Sequence, residues 1–600
     1  MADETAPAPV SRMDRARTLA LLLCAAGTAW LYHALARVSA RLDQAEPTMA
    51  GEVLPWTRLM TRHAIRALGR GRHGFGPLER FLGCCAGLFA LYAAMLWMAR
   101  GIRDARWTAI AGCAAALFMG ILLCSPVMLS SDTYFYSHYG WLLAAHGADA
   151  HAASSIPDPA FSLGGQFEFR PSVYGPLWTV ISAGIVRAGG GHVGLTLLLF
   201  RALAAVCALG IGGFIWLILM RLDPASAPMG TVLFLWNPLV VIESALSGHN
   251  DACMMLLAML AVWLHLRGAR MGAILALAAS ALVKVITWPL VLLYILAHLR
   301  SGGARSGFLL RAGAVVAAAI ILSLLAARAR PGDLMTHNGD SAQFYFNGYQ
   351  ELIFKALRRA QGETAGSLDA PMDFKIAWDA ANTTAALHAD ITKKSARLSL
   401  LKPGQPLLVL STRDENWVRV FDPFSRRVGF VGKRHVHPIP PPPNAASDPV
   451  ERRLSILPRD WPTVKRADLW IHIATWACFL AFFLVAAWKT VDFDRFLFWA
   501  AAFFLASILL ILSRVWPWYL IWPLAYGALR PWSAATRLAL LLSAGMIPLY
   551  GYLDCINTPL EWLYDYRSLA AVILPVAIFA AIEIAMRLRR DCRPAEACGK

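Results

Sequence analysis

Long apolar runs constrain the fold of this chain more than any other feature of its sequence. They cover residues 18–38, 79–99, 107–129, 192–220, 229–243, 252–266, 271–299, 312–329, 466–488, 496–529, 534–552 and 568–587. A helix needs roughly 20 apolar residues to cross a bilayer. Over all 600 residues, 58% are hydrophobic and 16% are charged. We therefore predict an all-α polytopic membrane protein instead of a string of soluble domains.

Two of the apolar runs contain interruptions, and each is expected to cross the membrane twice as two short helices. Lys284 and Pro289 break the run 271–299, and the letters SRVWPWY break the run 496–529. Counting both runs twice predicts about 14 spans. Both termini are then cytoplasmic, and the short loops rich in Arg and Lys lie on the same side. We expect a multi-pass protein of the bacterial inner (cytoplasmic) membrane.

The basic excess of the chain fits these loops better than it fits a nucleic-acid partner. The formal net charge is +18, from 56 Lys and Arg against 38 Asp and Glu. Because the basic residues cluster between apolar runs, they act as orientation signals, and we expect no nucleic acid to bind. The eleven cysteines include no CxxC pair, so we predict neither a disulfide framework nor a zinc site.

The same topology places polar residues from distant segments together on the extracytoplasmic side. They are Asp132, His138, Arg170, Tyr174, His249, Asn250, Asp251, Lys284, Arg514, Trp518, Tyr519 and Asp565. Tyr136 follows Asp132 at helical spacing and is expected on the same surface. Ionisable groups in or beside a membrane cost free energy and usually mark a site. We therefore predict one functional site on this side.

Two of these motifs also have structural explanations. Asp132 follows the apolar run that ends at residue 129, so it fits a catalytic carboxylate or a helix N-cap beside an interfacial aromatic belt. Asn250 or Asp251 fits the N-cap of the helix that begins in the letters HNDA. His249 and Asp251 are candidate metal ligands, but two ligands without a third make a weak metal site.

Lys284 stands inside an apolar run and needs an anionic partner. A lipid headgroup or a carboxylate such as Glu243 would satisfy it structurally, and a substrate phosphate would satisfy it functionally. The letters GGGHVG at 189–194 open a membrane run and follow no strand, so they are not a dinucleotide fingerprint. We expect no nucleotide fold and no cofactor, with a divalent metal ion as the alternative.

Five motifs carry a resemblance to a known family. They are SSDTYFYSHYGWLLAAHG at 130–147, VYGPL at 173–177, WNPL followed by GHND within 236–251, LVKVITWPL at 282–290, and RVWPWYLIWPL at 514–524. In this order they resemble integral-membrane glycosyltransferases of the GT-C superfamily, particularly glycosyltransferase family 87 and polyprenol-phosphate-mannose-dependent mannosyltransferases. The likeness covers residues 107–350 and 466–588.

The resemblance implies a GT-C-like enzyme that moves mannose or another hexose from a polyprenyl-phosphate-linked sugar to a glycan or lipid acceptor of the envelope. It implies that Asp132 is the catalytic base or the carboxylate that orients the acceptor, and that the other site residues bind substrate. Lys284 and Arg514 would contact the phosphate, with Trp518 and Tyr519 lining the lipid or sugar site. Where many relatives read NPY, this chain has HGADAHAAS, so Asp149 or Glu168 is a candidate second acid.

The polar stretch between residues 330 and 465 is predicted to hold an inserted, small, all-β extracytoplasmic barrel. Its strand-like segments and turns resemble a bacterial Src-homology-3-like domain, and a solvated loop with incidental strands is the alternative. The predicted division is 1–350 for the N-terminal membrane part with outer loop 130–175, 351–392 for a linker, 393–437 for the barrel, 438–465 for a Pro-rich linker, and 466–600 for the C-terminal membrane part.

Two other functions compete with the enzyme. A transporter or lipid-linked-sugar flippase also has broken helices around a site, but it should show paired repeats and several ionisable groups at the membrane centre. The sequence shows no repeat, and Arg201 alone lies deep in a run. A scaffold that uses its outer barrel to bind cell-wall material would explain the insert but not the polar residues near Asp132 and Lys284.

Overall fold

The computed structural model describes the parts of the chain that carry the membrane helices and the inserted strands. The described residues are 12–42, 46–48, 53–54, 75–102, 104–152, 171–301, 305–336, 347–359, 377–388, 397–411, 416–422, 427–439, 461–552, 562–563 and 566–591.

The helices account for most of the described chain. In chain order they are α1 (Arg12–Ser39), α2 (Phe75–Met98), α3 (Ala105–Leu123), α4 (Asp132–His146), α5 (Pro176–Gly189), α6 (Val193–Leu222), α7 (Ala227–Leu235), α8 (Pro238–Val241), α9 (Asp251–Leu266), α10 (Arg270–Val283), α11 (Trp288–Arg300), α12 (Arg305–Ala327), α13 (Pro331–Thr336), α14 (Tyr349–Arg359), α15 (Trp461–Lys489), α16 (Phe493–Ala506), α17 (Ile521–Gly527), α18 (Ala534–Met546), α19 (Leu549–Tyr552) and α20 (Leu574–Asp591).

Among the described residues, nine helices are long and apolar enough to cross a membrane, and one bent pair around α7 and α8 raises the number to ten. Helices α9, α10 and α11 are apolar but shorter. The chain is therefore consistent with a polytopic membrane protein. The predicted total of about 14 spans counts each broken run as two short helices, which this length criterion leaves out, so it stays a prediction.

Both predicted interruptions are present as breaks. Lys284 has an extended backbone between α10 and a 3-10 turn at Val285–Thr287. After α16, a π turn at Ser507–Ile511 ends the first helical part of the run 496–529, and the chain resumes as a 3-10 helix at Pro517–Leu520. A break inside an apolar run frees backbone groups and brings side chains to a shared surface, which is tolerated where protein covers them.

A further break, within the run 229–243 and the residues that follow it, forms the turn that carries His249. The segment from α7 to Leu246 is bent by 54°, and a π turn at Ile242–Leu246 follows α8. The buried Arg201 guanidinium donates through Nε to the carbonyl oxygens of Ala245 and Leu246, which the irregular turn leaves without helical partners. Arg201 therefore stabilises this turn.

The inserted strands form a separate sheet with its own small apolar core. They are β3 (Ala377–Ala381), β4 (Ala385–His388), β5 (Arg397–Leu401), β6 (Pro406–Ser411), β7 (Trp417–Asp422), β8 (Arg427–Gly432) and β9 (Val436–Ile439), following a short pair β1 (Glu46–Pro47) and β2 (Val127–Met128). The seven strands pair in the order β5-β4-β8-β7-β6-β3-β9, and each neighbouring pair is antiparallel. We call this sheet the β-unit.

The β-unit is larger than the predicted segment 393–437. Strands β3 and β4 lie within 351–392, which was predicted to be a linker, and β9 includes Pro438, the start of the predicted Pro-rich linker. The Ala-rich β3 and β4 have a weak intrinsic strand preference, and it is their pairing with β6, β9 and β5 that makes them strands. Residues 440–460 lie outside the described chain.

Candidate active site

Asp132 is the first residue of α4, and its carboxylate accepts hydrogen bonds from two tyrosines. The Tyr174 hydroxyl lies 3.0 Å and the Tyr136 hydroxyl 3.3 Å from the same oxygen, Oδ2. Ser131 occupies the N-cap position without a side-chain cap bond. The carboxylate is 20% exposed, and among the described residues no hydrogen bond ends on its Oδ1. Neighbouring side chains therefore hold the Asp132 carboxylate, and Asp132 is not the N-cap of α4.

Tyr174 reaches Asp132 because the loop before α5 approaches α10 closely. The Gly175 N–H donates to the carbonyl of Val283 at 3.0 Å, and a Cβ on Gly175 would lie 2.0 Å from the carbonyl oxygen of Leu282. A residue with any side chain would push this loop away. The glycine therefore holds Tyr174 beside the end of α10, where Lys284 follows.

The Tyr174 backbone has a second support in a buried histidine. His151 lies with Nε2 3.0 Å from the Tyr174 carbonyl oxygen and with Nδ1 2.9 Å from Asp149 Oδ1. Asp149 Oδ2 also accepts from the backbone N–H of Arg330. These contacts give Asp149 a structural role in this loop, and its part as a candidate second acid stays a prediction. Glu168 and Arg170 lie outside the described residues.

His249 lies between two carboxylates. Its Nδ1 is 3.4 Å from Asp132 Oδ2, and its Nε2 is 3.3 Å from Glu243 Oε2. The His249 and Glu243 side chains are fully buried, and the imidazole stacks on Trp518 with ring centroids 3.8 Å apart. The two contacts have ion-pair distances but are not aligned as hydrogen bonds. A ring placed between two acceptors is best matched by an imidazolium, which has a proton on each nitrogen.

The pKa values of the pair follow from this arrangement. Burial alone would lower the pKa of His249, but the carboxylates of Asp132 and Glu243 raise it to about 9. Burial opposes the ionisation of Asp132, but contacts with His249, the charge of Lys284 and the Tyr174 hydrogen bond lower its pKa below the ordinary value. At neutral pH the pair is therefore a carboxylate beside an imidazolium.

Lys284 pairs with Asp251, which answers the question of its anionic partner. Lys284 Nζ lies 2.8 Å from Asp251 Oδ1, and the same oxygen accepts from the Trp522 indole at 2.6 Å. Asp251 is fully buried, while Lys284 is 15% exposed. The ammonium also lies over the ring of Tyr519, 4.7 Å from its centroid. Glu243, the carboxylate considered from the sequence, contacts His249 instead.

Several buried polar atoms around this cluster have no hydrogen-bond partner within the described chain. They are both side-chain polar atoms of Asn250, Oδ2 of Asp251, Oε1 of Glu243 and Oγ of Ser244. The backbone N–H of Asn250 faces the Tyr136 hydroxyl at 3.4 Å, and its side chain makes no cap bond to α9. Because buried polar groups are nearly always satisfied, such a concentration is typical of a surface that water or a ligand completes.

The remaining predicted residues lie at the edges of the cluster. Trp518 stacks on Trp516 as well as on His249, with the two indole centroids 5.0 Å apart. Arg514 interacts electrostatically with the Tyr519 phenol. His138 is buried in α4, where its ring stacks near Trp141. Six positions along a helix place His138 about 240° around the axis from Asp132, so it faces a different direction.

No group of three His, Cys, Asp or Glu side chains in the described residues is arranged to hold a metal ion. His249 and Asp251, the two candidate ligands, contact different partners: the first contacts Asp132 and Glu243, and the second contacts Lys284. The cluster therefore has the character of a network of ion pairs and phenols.

Three contributors were not predicted in these roles. Glu243 contacts His249, Tyr550 donates to Glu243 Oε2 at 3.0 Å, and Trp522 donates to Asp251. All three lie in apolar runs, where an aromatic residue resembles any other core residue. For Glu243 the signal was its charge inside a membrane run, which marks a polar site without identifying its partner.

Comparison with known proteins gives a family match for the first half of the molecule. Residues 48–300 match the family described as alpha-(1->6)-mannopyranosyltransferase, N-terminal domain. This segment contains Asp132, Tyr174, His249 and Lys284 and ends before the β-unit. No curated protein matches the chain, and no solved structure matches it. The family match supports a membrane mannosyltransferase, which implies a sugar donor and a glycan acceptor.

Proposed function

We propose that the protein is a GT-C-type mannosyltransferase that takes mannose from a polyprenyl-phosphate donor and forms an alpha-(1->6) linkage on an envelope glycan or lipid. The site lies on the extracytoplasmic face of the bacterial cytoplasmic membrane. In the reaction, the acceptor oxygen forms a bond to C1 of the sugar while the bond from C1 to the phosphate oxygen breaks. The acceptor proton goes to Asp132, and polyprenyl phosphate leaves.

The environment of Asp132 is the observation that carries this proposal. Both tyrosines and His249 approach Oδ2, the side chain is 20% exposed, and among the described residues no hydrogen bond ends on Oδ1. A general base must be ionised and within hydrogen-bond reach of the hydroxyl that it deprotonates. The lowered pKa of Asp132 supplies the first condition, and Oδ1, which accepts no hydrogen bond from the described part of the chain, is suited to the second.

The donor class is supported by the cations and aromatic rings on the other side of the cluster. Lys284 lies over the ring of Tyr519, and Arg514 interacts electrostatically with the same phenol, so both cations belong to the surroundings of Tyr519. A departing phosphate needs such cations, because negative charge develops on it as the bond to C1 breaks. Trp516 and Tyr519 are partly exposed aromatic residues beside them, and such rings suit contact with a lipid chain or a sugar ring; Trp518 is buried and supports Trp516 by stacking on it.

A donor assay with the purified full-length protein tests the proposal. We expect transfer from a polyprenyl-phosphate mannose to an acceptor glycan and none from a nucleotide sugar. Asp132→Asn keeps the size of the side chain but removes the base, so transfer should fall by roughly 10²- to 10⁴-fold at normal protein level. Near-normal turnover by this variant would refute the role of Asp132, and transfer from a nucleotide sugar alone would refute the donor class.

A further inference from the structure

Glu243 is a buried acid that the proposed transfer does not use directly. It is fully buried in the π turn after α8, and its described polar neighbours are His249 and the Tyr550 hydroxyl. The backbone of the same residue accepts the N–H of His249 at 3.0 Å, which fixes the turn that brings the two side chains together. A buried carboxylate is costly to keep unless it is paired and hydrogen-bonded.

The contacts form a continuous chain from this acid to the proposed base. The Tyr550 hydroxyl donates to Glu243 Oε2, the same oxygen lies 3.3 Å from His249 Nε2, and His249 Nδ1 lies 3.4 Å from Asp132 Oδ2. A neutral imidazole has a lone pair on one nitrogen, and here that lone pair would face a carboxylate. The protonated ring avoids this repulsion at both ends.

Charged and titratable groups of several other elements also face this chain of contacts. They are Tyr136, Tyr174, Arg201, Asp251, Lys284 and Tyr519. Lys284 is already paired with Asp251, and Arg201 donates to backbone carbonyls. His249 contacts two carboxylates, Asp132 and Glu243. Because Asp132 is the proposed base, Glu243 is the one outside the proposed chemistry.

We propose that Glu243 is a positioning residue for mannosyl transfer: through His249 it holds an imidazolium against Asp132 and so keeps the proposed base ionised and oriented. Glu243 does not touch substrate, and no proton needs to pass through it. Its loss leaves Asp132 in place but removes the charge that keeps His249 protonated. This inference rests on the proposed function, since it assigns a role to the acid that supports the proposed base.

The test is the pH dependence of transfer by Glu243→Gln. Glutamine keeps the shape of the side chain, so the ring of His249 should remain in place while its pKa falls. Removing one neighbouring opposite charge shifts a pKa by about 1–3 units. Transfer falls along the alkaline limb of kcat because His249 loses the proton with which it holds Asp132. This limb should therefore move to lower pH by the same amount. Glu583→Gln is the matched control, because it removes a carboxylate paired with Arg537 in another part of the chain and should leave the limb unchanged.

A second measurement does not depend on transfer. Isotope-labelled histidine, with the His249 signal assigned from a His249→Asn variant, gives the pKa of His249 by NMR titration in Glu243→Gln and in the unaltered protein. A fall in this pKa together with the shifted limb supports the proposal. An unmoved alkaline limb, or an unchanged His249 pKa, overturns it.

The two proposals fail in distinguishable ways. If Asp132→Asn retains full transfer, the proposed base is wrong, whereas the NMR titration still reports whether Glu243 controls His249. If Glu243→Gln does not fold, Tyr550→Phe removes only the hydroxyl that donates to Glu243 and should weaken its hold on His249, with a smaller shift of both readouts in the same direction. A folded Tyr550→Phe variant with no shift of either readout overturns the positioning role.

Discussion

Replacing Lys284 by alanine should destabilise the protein because it leaves the carboxylate of Asp251 buried without its cation. Asp251 is fully buried and would retain only the Trp522 indole as a donor to Oδ1. Breaking a buried ion pair by removing one partner costs about 3–5 kcal/mol. The partial exposure of Lys284, 15%, favours the lower end of this range.

Substitution of the other partner, Asp251, should reduce the stability less than Lys284→Ala does, and this difference follows from the observed geometry. In Asp251→Asn, the ammonium of Lys284 can turn toward water, and the amide can still accept from Trp522. The double variant removes both charges, so its stability should recover most of the loss seen in Lys284→Ala. The unaltered protein, the two single variants and the double variant form a double-mutant cycle. Thermal unfolding of the four detergent-purified proteins, followed by size-exclusion chromatography, measures their stability.

The same four proteins separate the structural role of Lys284 from its proposed phosphate contact. A charge-assisted hydrogen bond contributes about 1.5–3 kcal/mol, which corresponds to a rise of about 10- to 150-fold in KM for the lipid donor. If Lys284 contacts the phosphate, the double variant regains stability but keeps the raised KM, while Asp251→Asn alone keeps a nearly normal KM. Recovery of a normal KM in the double variant would refute the phosphate contact, and equal stability of all four proteins would refute the buried pair.

Three further results are expected. Tyr174→Phe removes the 3.0 Å hydrogen bond to Asp132, so the pKa of this base should rise, the acidic limb of the pH–rate profile should move to higher pH, and transfer near that limb should fall by about ten-fold. Gly175→Ala places a Cβ 2.0 Å from the Leu282 carbonyl oxygen, so its unfolding temperature should drop, whereas Gly184→Ala, with open space around its Cβ, should not change it. Replacing the β-unit, 377–439, by a flexible linker should preserve transfer to a small soluble acceptor. Complete loss of transfer by a stably expressed deletion would contradict a self-contained β-unit.

The polar members of the candidate site could be picked out from the sequence because charges are conspicuous in an apolar chain. Asp132, His249, Asp251 and Lys284 were each singled out, and the structure brings them into one network. The pairings within the network could not be predicted. Trp522 meets Asp251 across 271 positions of sequence, and no local pattern reports such a contact.

The fold was predicted less completely, for two physical reasons. Apolar periodicity identifies helices but does not say whether a run crosses the membrane or ends at a turn, so the number of spans stays a prediction. In the β-unit, β3 and β4 become strands through partners far along the chain, as where Trp378 pairs with Leu408 and with Ile439. Segments with strong local preference, such as β7 and β8, were recognised within 393–437.

The three helix breaks supply the main parts of the candidate site, and each is stabilised by a donor from another element. A break in a membrane helix leaves carbonyl groups unsatisfied, at a cost of several kcal/mol each if no donor replaces the helical one. Arg201 donates to Ala245 and Leu246 before the turn of His249, and the Gly175 N–H donates to Val283 before Lys284.

At the third break, the side chain of Asn347 donates to the carbonyl of Val515, and Gln350 donates to that of Leu510. Asn347 is in turn held by the Arg567 guanidinium, which also pairs with Glu351 in a buried contact. The two donors at this break thus lie 168 and 160 positions away in sequence from the carbonyl groups that they cover. Because each break is covered in this way, the chain can hold His249, Lys284 and the aromatic residues of the third break at one surface without exposing backbone polar groups to lipid.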